Sequence, residues 1–383
     1  RSSIIICQSG EEQKVLESTL NTLTSLKDQK QIENVLQLIG DVCENSKENH
    51  DDLSVKLENL KSRLGNKTND SISEIVGKIG ANNPIGFVNK LISLKPDQDS
   101  RVALKEFLNL VVKKKINITD ANINGLIDWL LNTPKLEEEL TNKYVGNCIG
   151  LVVSINNQLV EKYIDLVKKN SGYKKSSLLN GAKEIFKSKI DLSPTLRNSL
   201  YEIILEGIKD TERLVKEHSM QALNSVQFKY PGDLLNFYLK SDIRNNIYQS
   251  CKIDKAYIKE ADFGNGNKIV EDKGVGIRKA ALDIQTFMID VYPHKLIIGE
   301  TVPLLMECLL DTDDYLQGIV YNDLTKVAKF NVGAFSRFGG LLIDTLFKVF
   351  RTLKIEESKR IFSVNVKNLF DELKDVESIT GNP

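Results

Sequence analysis

The sequence predicts an all-α protein, a solenoid of about nine stacked helical hairpins with one β-hairpin insert near its C-terminal end. Three observations predict this fold. Apolar residues recur at helical spacing through nearly the whole chain, short polar breaks separate the helices, and the helix pairs repeat at a nearly constant period. At 383 residues the chain is long for one ordinary globular core, whereas a core extended along a repeat axis fits that length.

The apolar stripe is clear in the first two predicted helices, within residues 15–26 and 32–43. In the first, it consists of Val15, Leu16, Leu20, Leu23 and Leu26. A pair of such helices has an apolar face too wide to bury alone, so neighbouring pairs have to stack.

The repeat period indicates the class of solenoid. The first helices of successive pairs are predicted to start near residues 11, 51, 83, 119, 157, 193, 230, 296 and 334. Most steps are 32 to 40 residues, the range of HEAT-type helical hairpins. We therefore expect a single continuous HEAT-repeat solenoid over residues 1–383, without an internal domain boundary. Because the chain begins with Arg1, we also expect it to be the C-terminal fragment of a longer protein or assembly.

One step, from residue 230 to 296, is 66 residues long and breaks the period, with the surplus in residues 242–272. Asn265-Gly266 is a favoured pair for a two-residue type I′ turn, since both turn positions need positive φ. We therefore predict a β-hairpin over residues 257–272. The predicted cross-strand pairs are Phe263–Lys268, Asp262–Ile269, Ala261–Val270, Glu260–Glu271 and Lys259–Asp272, with Tyr257, Ala261, Phe263 and Val270 on one face.

That register places two carboxylates opposite each other, at Glu260 and Glu271, which predicts a bulge or a partner cation. A lone hairpin is marginal in water, so it has to lean on the solenoid or on a partner. We expect it to project and contact a partner. The alternative is a long ordered loop that packs on its own repeat.

The composition argues against several classes of function. Lys plus Arg (52) equals Asp plus Glu (52), whereas general nucleic-acid or acidic-membrane binding needs an excess of positive charge. The five cysteines are at least 36 residues apart and form no CxxC, which predicts a reducing compartment and no zinc knuckle. No apolar run approaches the length of a membrane span.

The chain has no recognisable catalytic or cofactor motif. GNGNKI (264–269) begins as G-x-G but has Ile269 where the third glycine would stand, and GVGIRKAA lacks the GK[ST] of a P-loop. The histidines, His50, His218 and His294, form neither HxxxH nor HExxH. We therefore expect no enzyme, no cofactor and no metal site. The rival, an enzyme with a glycine loop, would need a parallel sheet.

Charged runs have ordinary structural explanations. Acidic pairs such as Asp51-Asp52 and Asp313-Asp314, and the run at residues 137–139, fall at predicted helix starts, where the helix dipole favours them. Lys113-Lys114-Lys115 closes a predicted helix. The lysines at residues 168–175 flank a turn with Tyr173, and either form a solvated turn or a ridge facing an acidic partner.

The residues around the insert resemble the C-terminal part of the cullin-associated, neddylation-dissociated protein family (Cand/Tip), an all-HEAT family. KEADFG (259–264) is similar to the first strand and turn of that family's hairpin, and NKIVED (267–272) to its second strand. GVGIRKAALDIQTFMID (274–290) is similar to the helix that follows. Upstream, residues 205–234 resemble the preceding repeat and residues 234–247 the long helix before the hairpin.

The chain departs from the family pattern in four places. Lys273 looks like an insertion after the acidic pair, and Gly276 stands where members tend to carry an acidic residue. The tip GNGN (264–267) replaces a turn with proline and an aromatic residue, and residues 351–360 look shortened.

The resemblance implies a non-enzymatic protein that binds a cullin in complex with its RING-box protein. In that family the C-terminal part binds the cullin, and the hairpin enters the site that the substrate adaptor uses. The adaptor and the family member therefore weaken each other's binding to the cullin, which lets substrate receptors exchange. It also implies N-terminal HEAT repeats of the same family as partners. We expect a cytoplasmic and nuclear location.

The residues that match the family's partner-binding hairpin are Tyr257, Lys259, Glu260, Ala261, Asp262, Phe263, Gly264, Asn265, Gly266, Asn267, Lys268, Ile269, Val270, Glu271 and Asp272. The alternative on the same architecture is a HEAT-repeat nuclear-transport receptor or phosphatase-type scaffold, which would lack this hairpin.

Overall fold

The computed structural model describes residues 11–48, 50–64, 68–262, 268–353 and 356–380. In these ranges the chain is all-α apart from a two-stranded antiparallel sheet, as predicted. No helix among them is long and apolar enough to cross a membrane. The contacts divide the chain into two compact units, residues 1–200 and 201–383. The single continuous solenoid stays a prediction.

The N-terminal unit is a series of helix pairs. Its helices are α1 (Glu12–Ser25), α2 (Gln29–Asn45), α3 (Asp51–Leu64), α4 (Asn69–Gly80), α5 (Pro84–Ile92), α6 (Gln98–Lys114), α7 (Asp120–Leu131), α8 (Glu139–Val153), α9 (Gln158–Lys169) and α10 (Gly172–Lys187). The first helices of the pairs begin at residues 12, 51, 84, 120 and 158, each within one residue of its predicted start. The second helices, α2, α4, α6, α8 and α10, pack one on the next, which buries the apolar stripes.

Two helix starts show the stabilisation that their sequences indicate. The Asp97 carboxylate accepts from the Ser100 N–H, while the Ser100 hydroxyl oxygen accepts from the Asp97 N–H, which completes a capping box at α6. Asp51 and Asp52 occupy the first turn of α3, as predicted, where the helix dipole stabilises negative charge.

Small residues set the spacing between α8 and α10. A Cβ atom on Gly146 would lie 2.4 Å from the Ser177 carbonyl oxygen, and one on Gly150 would lie 2.4 Å from the Gly181 carbonyl oxygen. Side chains at these glycines would therefore force the two helices apart. The glycines are required for close packing here, without any need for an unusual backbone conformation.

The C-terminal unit carries the β-hairpin between its helices. Its elements are α11 (Pro194–Gly207, which the division crosses), α12 (Arg213–Ser225), α13 (Pro231–Tyr238), α14 (Ser241–Ser250), β1 (Ile258–Asp262), β2 (Lys268–Asp272), α15 (Val275–Val291), α16 (Ile298–Cys308), α17 (Asp314–Phe330), α18 (Val332–Phe335), α19 (Gly339–Thr352) and α20 (Glu356–Thr380). Here α12, α15, α17 and α20 pack in series.

The predicted helix starts at 193, 230 and 296 are confirmed, because α11, α13 and α16 begin at residues 194, 231 and 298. The start near 334 is only partly right. The four-residue helix α18 and the 3-10 turn Ser336–Phe338 precede the long helix α19, which begins at Gly339.

The expectation of one long helix over residues 234–247 is wrong. The segment forms α13 and α14, separated by Leu239 and Lys240, and Lys240 has an extended backbone with ψ 122°. The Arg244 guanidinium lies 3.5 Å from the carbonyl oxygens of Tyr238 and Leu239, so it provides a cation for the carbonyls that the end of α13 exposes. The surplus of the long step is therefore one helix plus the hairpin.

Buried hydroxyl groups join the helices on either side of this break. The Tyr238 hydroxyl lies 2.9 Å from that of Tyr248 and donates to the Gln285 side-chain oxygen at 2.8 Å. Tyr248 in turn contacts the Thr301 hydroxyl at 3.2 Å. These bonds link α13, α14, α15 and α16 and satisfy phenol groups that burial would otherwise leave unpaired.

Arg278 is the central ion-pairing residue of the C-terminal unit. It lies on α15 with only 1% of its surface exposed. Its guanidinium donates to both carboxylate oxygens of Asp311, at 2.6 and 3.1 Å, and to Asp272 at 2.8 Å. Asp272 ends β2 and Asp311 precedes α17, so one side chain joins the hairpin, its own helix and the next helix pair.

We expect Arg278→Met to lower the free energy of unfolding by about 3 to 5 kcal/mol, because it leaves two carboxylates in a largely buried site without their cation. The matched control is Lys279→Met, one residue along, where a half-exposed lysine pairs with Asp283 at 2.9 Å. That change should cost no more than about 1 kcal/mol. Urea unfolding followed by circular dichroism measures both, and equal effects would refute a special role for Arg278.

Candidate partner-binding hairpin

The predicted hairpin is present, with its strands in the expected order. Lys259, Glu260, Ala261 and Asp262 lie in β1, and Lys268, Ile269, Val270, Glu271 and Asp272 lie in β2. Tyr257 ends the 3-10 turn Lys255–Tyr257 that leads into β1. The predicted tip residues, Phe263, Gly264, Asn265, Gly266 and Asn267, lie outside the described residues, as does the predicted type I′ turn.

The predicted register of the two strands is wrong by one residue. The observed pairs are Ile258–Asp272, Lys259–Glu271, Glu260–Val270, Ala261–Ile269 and Asp262–Lys268. Residues 263–267 therefore separate the last described pair, and Val270 faces Glu260 across the strands instead of Ala261.

The physical reason for the shift is charge. The predicted register would set Glu260 against Glu271, whereas the observed one sets Lys259 against Glu271. Opposite charges directly across an antiparallel pair stabilise it and like charges destabilise it. Because Glu260 does not face Glu271, the strands need neither a bulge nor a partner cation to relieve repulsion between them.

The base of the hairpin is closed by backbone groups. The Lys273 N–H donates to the Tyr257 carbonyl oxygen at 3.0 Å, which continues the ladder past the paired strands. Just before Tyr257, the Asp254 carboxylate accepts from the Ala256 N–H at 3.0 Å and fixes the entering turn. The two ends of the hairpin are thereby held side by side.

Asp272 anchors the second strand. One carboxylate oxygen accepts from the Gly274 N–H at 2.8 Å and the other from Arg278, also at 2.8 Å. Partial burial raises the pKa of Asp272, but the Arg278 and Gly274 hydrogen bonds outweigh it, so the pKa lies below its ordinary value. Its contribution to stability is therefore present above the ordinary aspartate pKa and is lost as the pH falls through the lowered value.

Two of the departures from the family pattern have structural explanations. Both backbone groups of the extra residue Lys273 are hydrogen-bonded. Its N–H donates to the Tyr257 carbonyl oxygen, and its carbonyl oxygen accepts from the Arg213 guanidinium of α12 at 3.0 Å. Gly276 lies against Glu217, which is 1% exposed and pairs with Arg213 at 2.7 Å. A Cβ atom on Gly276 would lie 2.5 Å from a Glu217 carboxylate oxygen. A carboxylate from the preceding repeat thus occupies the space beside position 276.

The described part of the hairpin presents a mixed surface. Lys259, Glu260 and Glu271 are exposed, and 59% of the Val270 surface is accessible. Ile253, just before the hairpin, is 38% exposed. An apolar side chain among charges of both signs is suited to a protein surface that offers a small apolar pocket with a polar rim.

The other candidate groups do not assemble into a catalytic site in the described part of the chain. His218 and Ser219 are both fully buried in α12, while His294 is exposed in a 3-10 turn. The free thiols that the structure describes, Cys43, Cys148, Cys251 and Cys308, are buried, and burial raises the pKa of Cys148 and Cys308 to about 12. Thiols with raised pKa values are poor nucleophiles.

The charged runs lie where the sequence predicts. Asp313 caps α17 by accepting from the Leu316 N–H at 3.0 Å. Lys113, near the end of α6, pairs with Glu44 at 2.7 Å, which raises the lysine pKa. The turn between α9 and α10 falls at residues 170–171, as expected, and 49% of the Tyr173 surface is exposed.

Sequence reasoning missed the residues that hold the hairpin in place: Arg278, Asp311, Glu217 and Arg213. One signal was available, since an arginine in the apolar stretch VGIRKAALDI has to bury its charge or leave the helix face. Its partners lie 6 and 33 residues away, so only the folded chain identifies them.

Residues 237–374 match the family model TIP120, described as TATA-binding protein interacting (TIP20). The match contains α14, the hairpin, α15 and most of the helices after it. A comparison with curated protein sequences finds no match for the chain.

Solved structures with a similar fold include Kap121p. Kap121p bound to Nup53p superposes with a TM-score of 0.53 at 10% identity, over 95% of this chain and 40% of that one. Kap121p bound to Pho4p superposes with a TM-score of 0.52 at 9% identity, over 92% of this chain and 37% of that one. The chain thus spans less than half the length of these proteins, and the likeness supports the HEAT-type fold alone.

We expect Gly276→Ala to lower the free energy of unfolding by about 1 to 3 kcal/mol, because the added methyl group overlaps the buried Glu217 carboxylate. Gly276→Asp should be worse, since it adds a like charge. The matched control is Gly299→Ala, at a helical glycine with no atom near its Cβ position, and it should be neutral or mildly stabilising. Thermal unfolding compares the three, and a Gly276→Ala protein as stable as the control would contradict this packing.

Proposed function

We propose that this protein, whose residues 237–374 match the TIP120 family model, is a non-enzymatic, cullin-binding regulator of cullin-RING ubiquitin ligase assembly. In this proposal it occupies the adaptor site of the unmodified cullin and thereby promotes the exchange of substrate receptors.

The observation that carries the proposal is the position of the hairpin within the matched domain. Both strands, the anchor Arg278 and its partner Asp311 all lie between residues 237 and 374. The hairpin is therefore an integral part of a family domain, with a base tied into two neighbouring helix pairs. An anchored base, with Lys259, Glu260, Val270 and Glu271 exposed beyond it, suits an inserted binding element.

The proposed mechanism is competition for one groove. The hairpin enters the site that the substrate adaptor uses on the cullin–RING-box complex, so each ligand weakens the binding of the other, reciprocally and by the same factor. The residues proposed to make the contact are those of the hairpin, from Tyr257 to Asp272, with Val270 as the exposed apolar contact among the described ones. N-terminal HEAT repeats of the same family would supply further contacts with the cullin. We propose that the protein acts in the cytoplasm and nucleus.

The alternative, a nuclear-transport receptor or phosphatase-type scaffold, draws no support from the likeness to Kap121p, because at about 10% identity only the fold is shared. The family match and the hairpin together favour the cullin-binding proposal.

We expect an immobilised, unmodified cullin–RING-box complex to retain this chain. Retention should increase when the family's N-terminal repeats are supplied, because two linked contacts act at a high effective concentration. The control is the same cullin carrying its ubiquitin-like modifier, which should retain less. No retention from the unmodified complex, with or without the N-terminal repeats, would remove the proposed function.

Removal of residues 258–271 with a short linker should abolish competition with the adaptor and leave the helices intact. The deletion keeps Tyr257 and Asp272, so the Asp272–Arg278 pair can still form. Circular dichroism checks the fold, and adaptor displacement from the cullin checks the function. If the deletion variant is folded and still displaces the adaptor, the proposed role of the hairpin is wrong.

A milder companion to the deletion swaps the charges of the facing pair, Lys259→Glu with Glu271→Lys, and adds Lys273→Glu, because Lys273 pairs with Glu271 at 3.3 Å and would repel a lysine there. The cross-strand attraction is preserved, so the hairpin should form, while the charge pattern offered to the partner is reversed and adaptor displacement should weaken. The control is the equivalent swap of the exposed pair Glu357 and Arg360 on α20, which should leave adaptor displacement unchanged.

A further inference from the structure

The N-terminal unit brings together one histidine and two glutamates, and we propose that Glu12, Glu48 and His50 form a binding site for a divalent transition-metal ion of the zinc type. Each side chain offers one ligand atom, and the three atoms lie within 4.8 Å of one another. The site is distinct from the hairpin and is independent of the proposed cullin binding.

Two separate segments supply the ligands, the start of α1 and the connection between α2 and α3. Glu12 is the first residue of α1, Glu48 lies in the turn after α2, and His50 directly precedes α3. Glu12 and His50 are 38 residues apart, so the sequence contains no metal-binding motif. The expectation of no metal site rested on that missing motif. The packing of α1 against α2 brings Glu12 close to Glu48 and His50.

Glu12 is the observation that points to a ligand. The residue is only 5% exposed, and its Oε2 atom is buried without a hydrogen-bond partner among the residues that the structure describes. An ionised carboxylate in such a place is costly unless a cation or a hydrogen-bond donor compensates it. A bound metal ion supplies that compensation directly.

His50 is held in a manner typical of metal-ligating histidines. Its Nε2 atom lies 2.8 Å from the Ser46 hydroxyl oxygen, which also accepts from the Glu48 N–H at 3.0 Å. In the tautomer in which Nε2 donates to Ser46, Nδ1 keeps an open lone pair. A hydrogen bond at one ring nitrogen fixes the tautomer and orientation of a ligating imidazole.

Ser46 and His50 each take part in backbone hydrogen bonds at a helix end. The Ser46 N–H donates to the Val42 carbonyl oxygen at 2.9 Å, and the His50 carbonyl oxygen accepts from the N–H groups of Leu53 and Ser54 at 2.9 and 3.2 Å. Ser46 is thereby joined to the end of α2, and His50 to the start of α3.

The donor set selects the class of metal. One imidazole with two carboxylates suits zinc and its neighbours, whereas calcium and magnesium prefer oxygen ligands throughout. Three protein ligands leave one tetrahedral position for water. Tetrahedral ligands lie about 3.3 Å apart, so the site has to contract on binding. Glu48, which is exposed, is the ligand free to move and gives the ion a route from solvent.

The test is a calorimetric titration of the whole chain, stripped of metal with a chelator, with zinc chloride. We expect one ion per chain and a higher thermal midpoint when it is bound. Glu12→Gln and His50→Asn should each weaken binding by at least about tenfold, since ligand loss exceeds the loss of an outer-shell contact. The matched control is Glu17→Gln, an exposed glutamate of the same helix, which should bind like the unaltered chain.

X-ray absorption at the zinc edge separates this site from binding by a cysteine. The proposal requires nitrogen and oxygen neighbours at about 2.0 to 2.2 Å and no sulfur. Any of three results would overturn the proposal. The first is sulfur among the atoms bound to zinc, and the second is no zinc binding by the unaltered chain. The third is that Glu12→Gln and His50→Asn bind zinc as tightly as the unaltered chain does. In those cases Glu12 and His50 are an ordinary acid–base pair. Use of both variants keeps the test valid if one of them does not fold.

Discussion

The buried ion network of Arg278 is the interaction on which the rest of the C-terminal unit depends. A guanidinium taken out of water needs partners of opposite charge, and Asp311 and Asp272 supply them to two of its three nitrogens, Nε and Nη2, at 2.6 to 3.1 Å. Because Asp311 belongs to the next helix pair and Asp272 to the hairpin, the pairing of one charge links three elements. Such a network adds little net stability compared with an apolar core, but its hydrogen bonds form only when the hairpin lies in this place on the helices.

These contacts stabilise the two-stranded hairpin, which would be only marginally stable by itself. Two short strands do not hold a fixed structure in water. Here the strands gain it from their base, through the Tyr257–Lys273 backbone bond, the Asp272 carboxylate and the Arg213 contact to the Lys273 carbonyl oxygen. Lys259, Glu260, Val270 and Glu271 are exposed. An anchored base with exposed strand residues suits a protein that binds by occupying another protein's groove, as we propose for this chain.

Local patterns predicted what depends on neighbours along the chain. The helix starts were predicted to within one or two residues at eight positions, because capping residues and apolar spacing act over a few residues. The hairpin was predicted from Asn265-Gly266 and from the broken period. Its register was not, because the register also depends on which charged residues face each other across the strands, Lys259 opposite Glu271 and Asp262 opposite Lys268, and on the closed base. The break between α13 and α14 was missed for a similar reason, since Arg244 acts on carbonyl groups five and six residues away.

The sequence by itself determined the all-α repeat fold, the place of the insert and the resemblance of that insert to a family. These follow from periodicity and from residues adjacent in the chain. Only the tertiary structure decided which charges meet. Arg278 pairs with Asp311 across 33 residues, Gly276 leaves room for Glu217 of the preceding repeat, and a Glu12 carboxylate oxygen lies within 4.8 Å of a His50 ring nitrogen. Pairing of buried charges is set by which helix faces stack, and stacking has no signature in a local stretch of sequence.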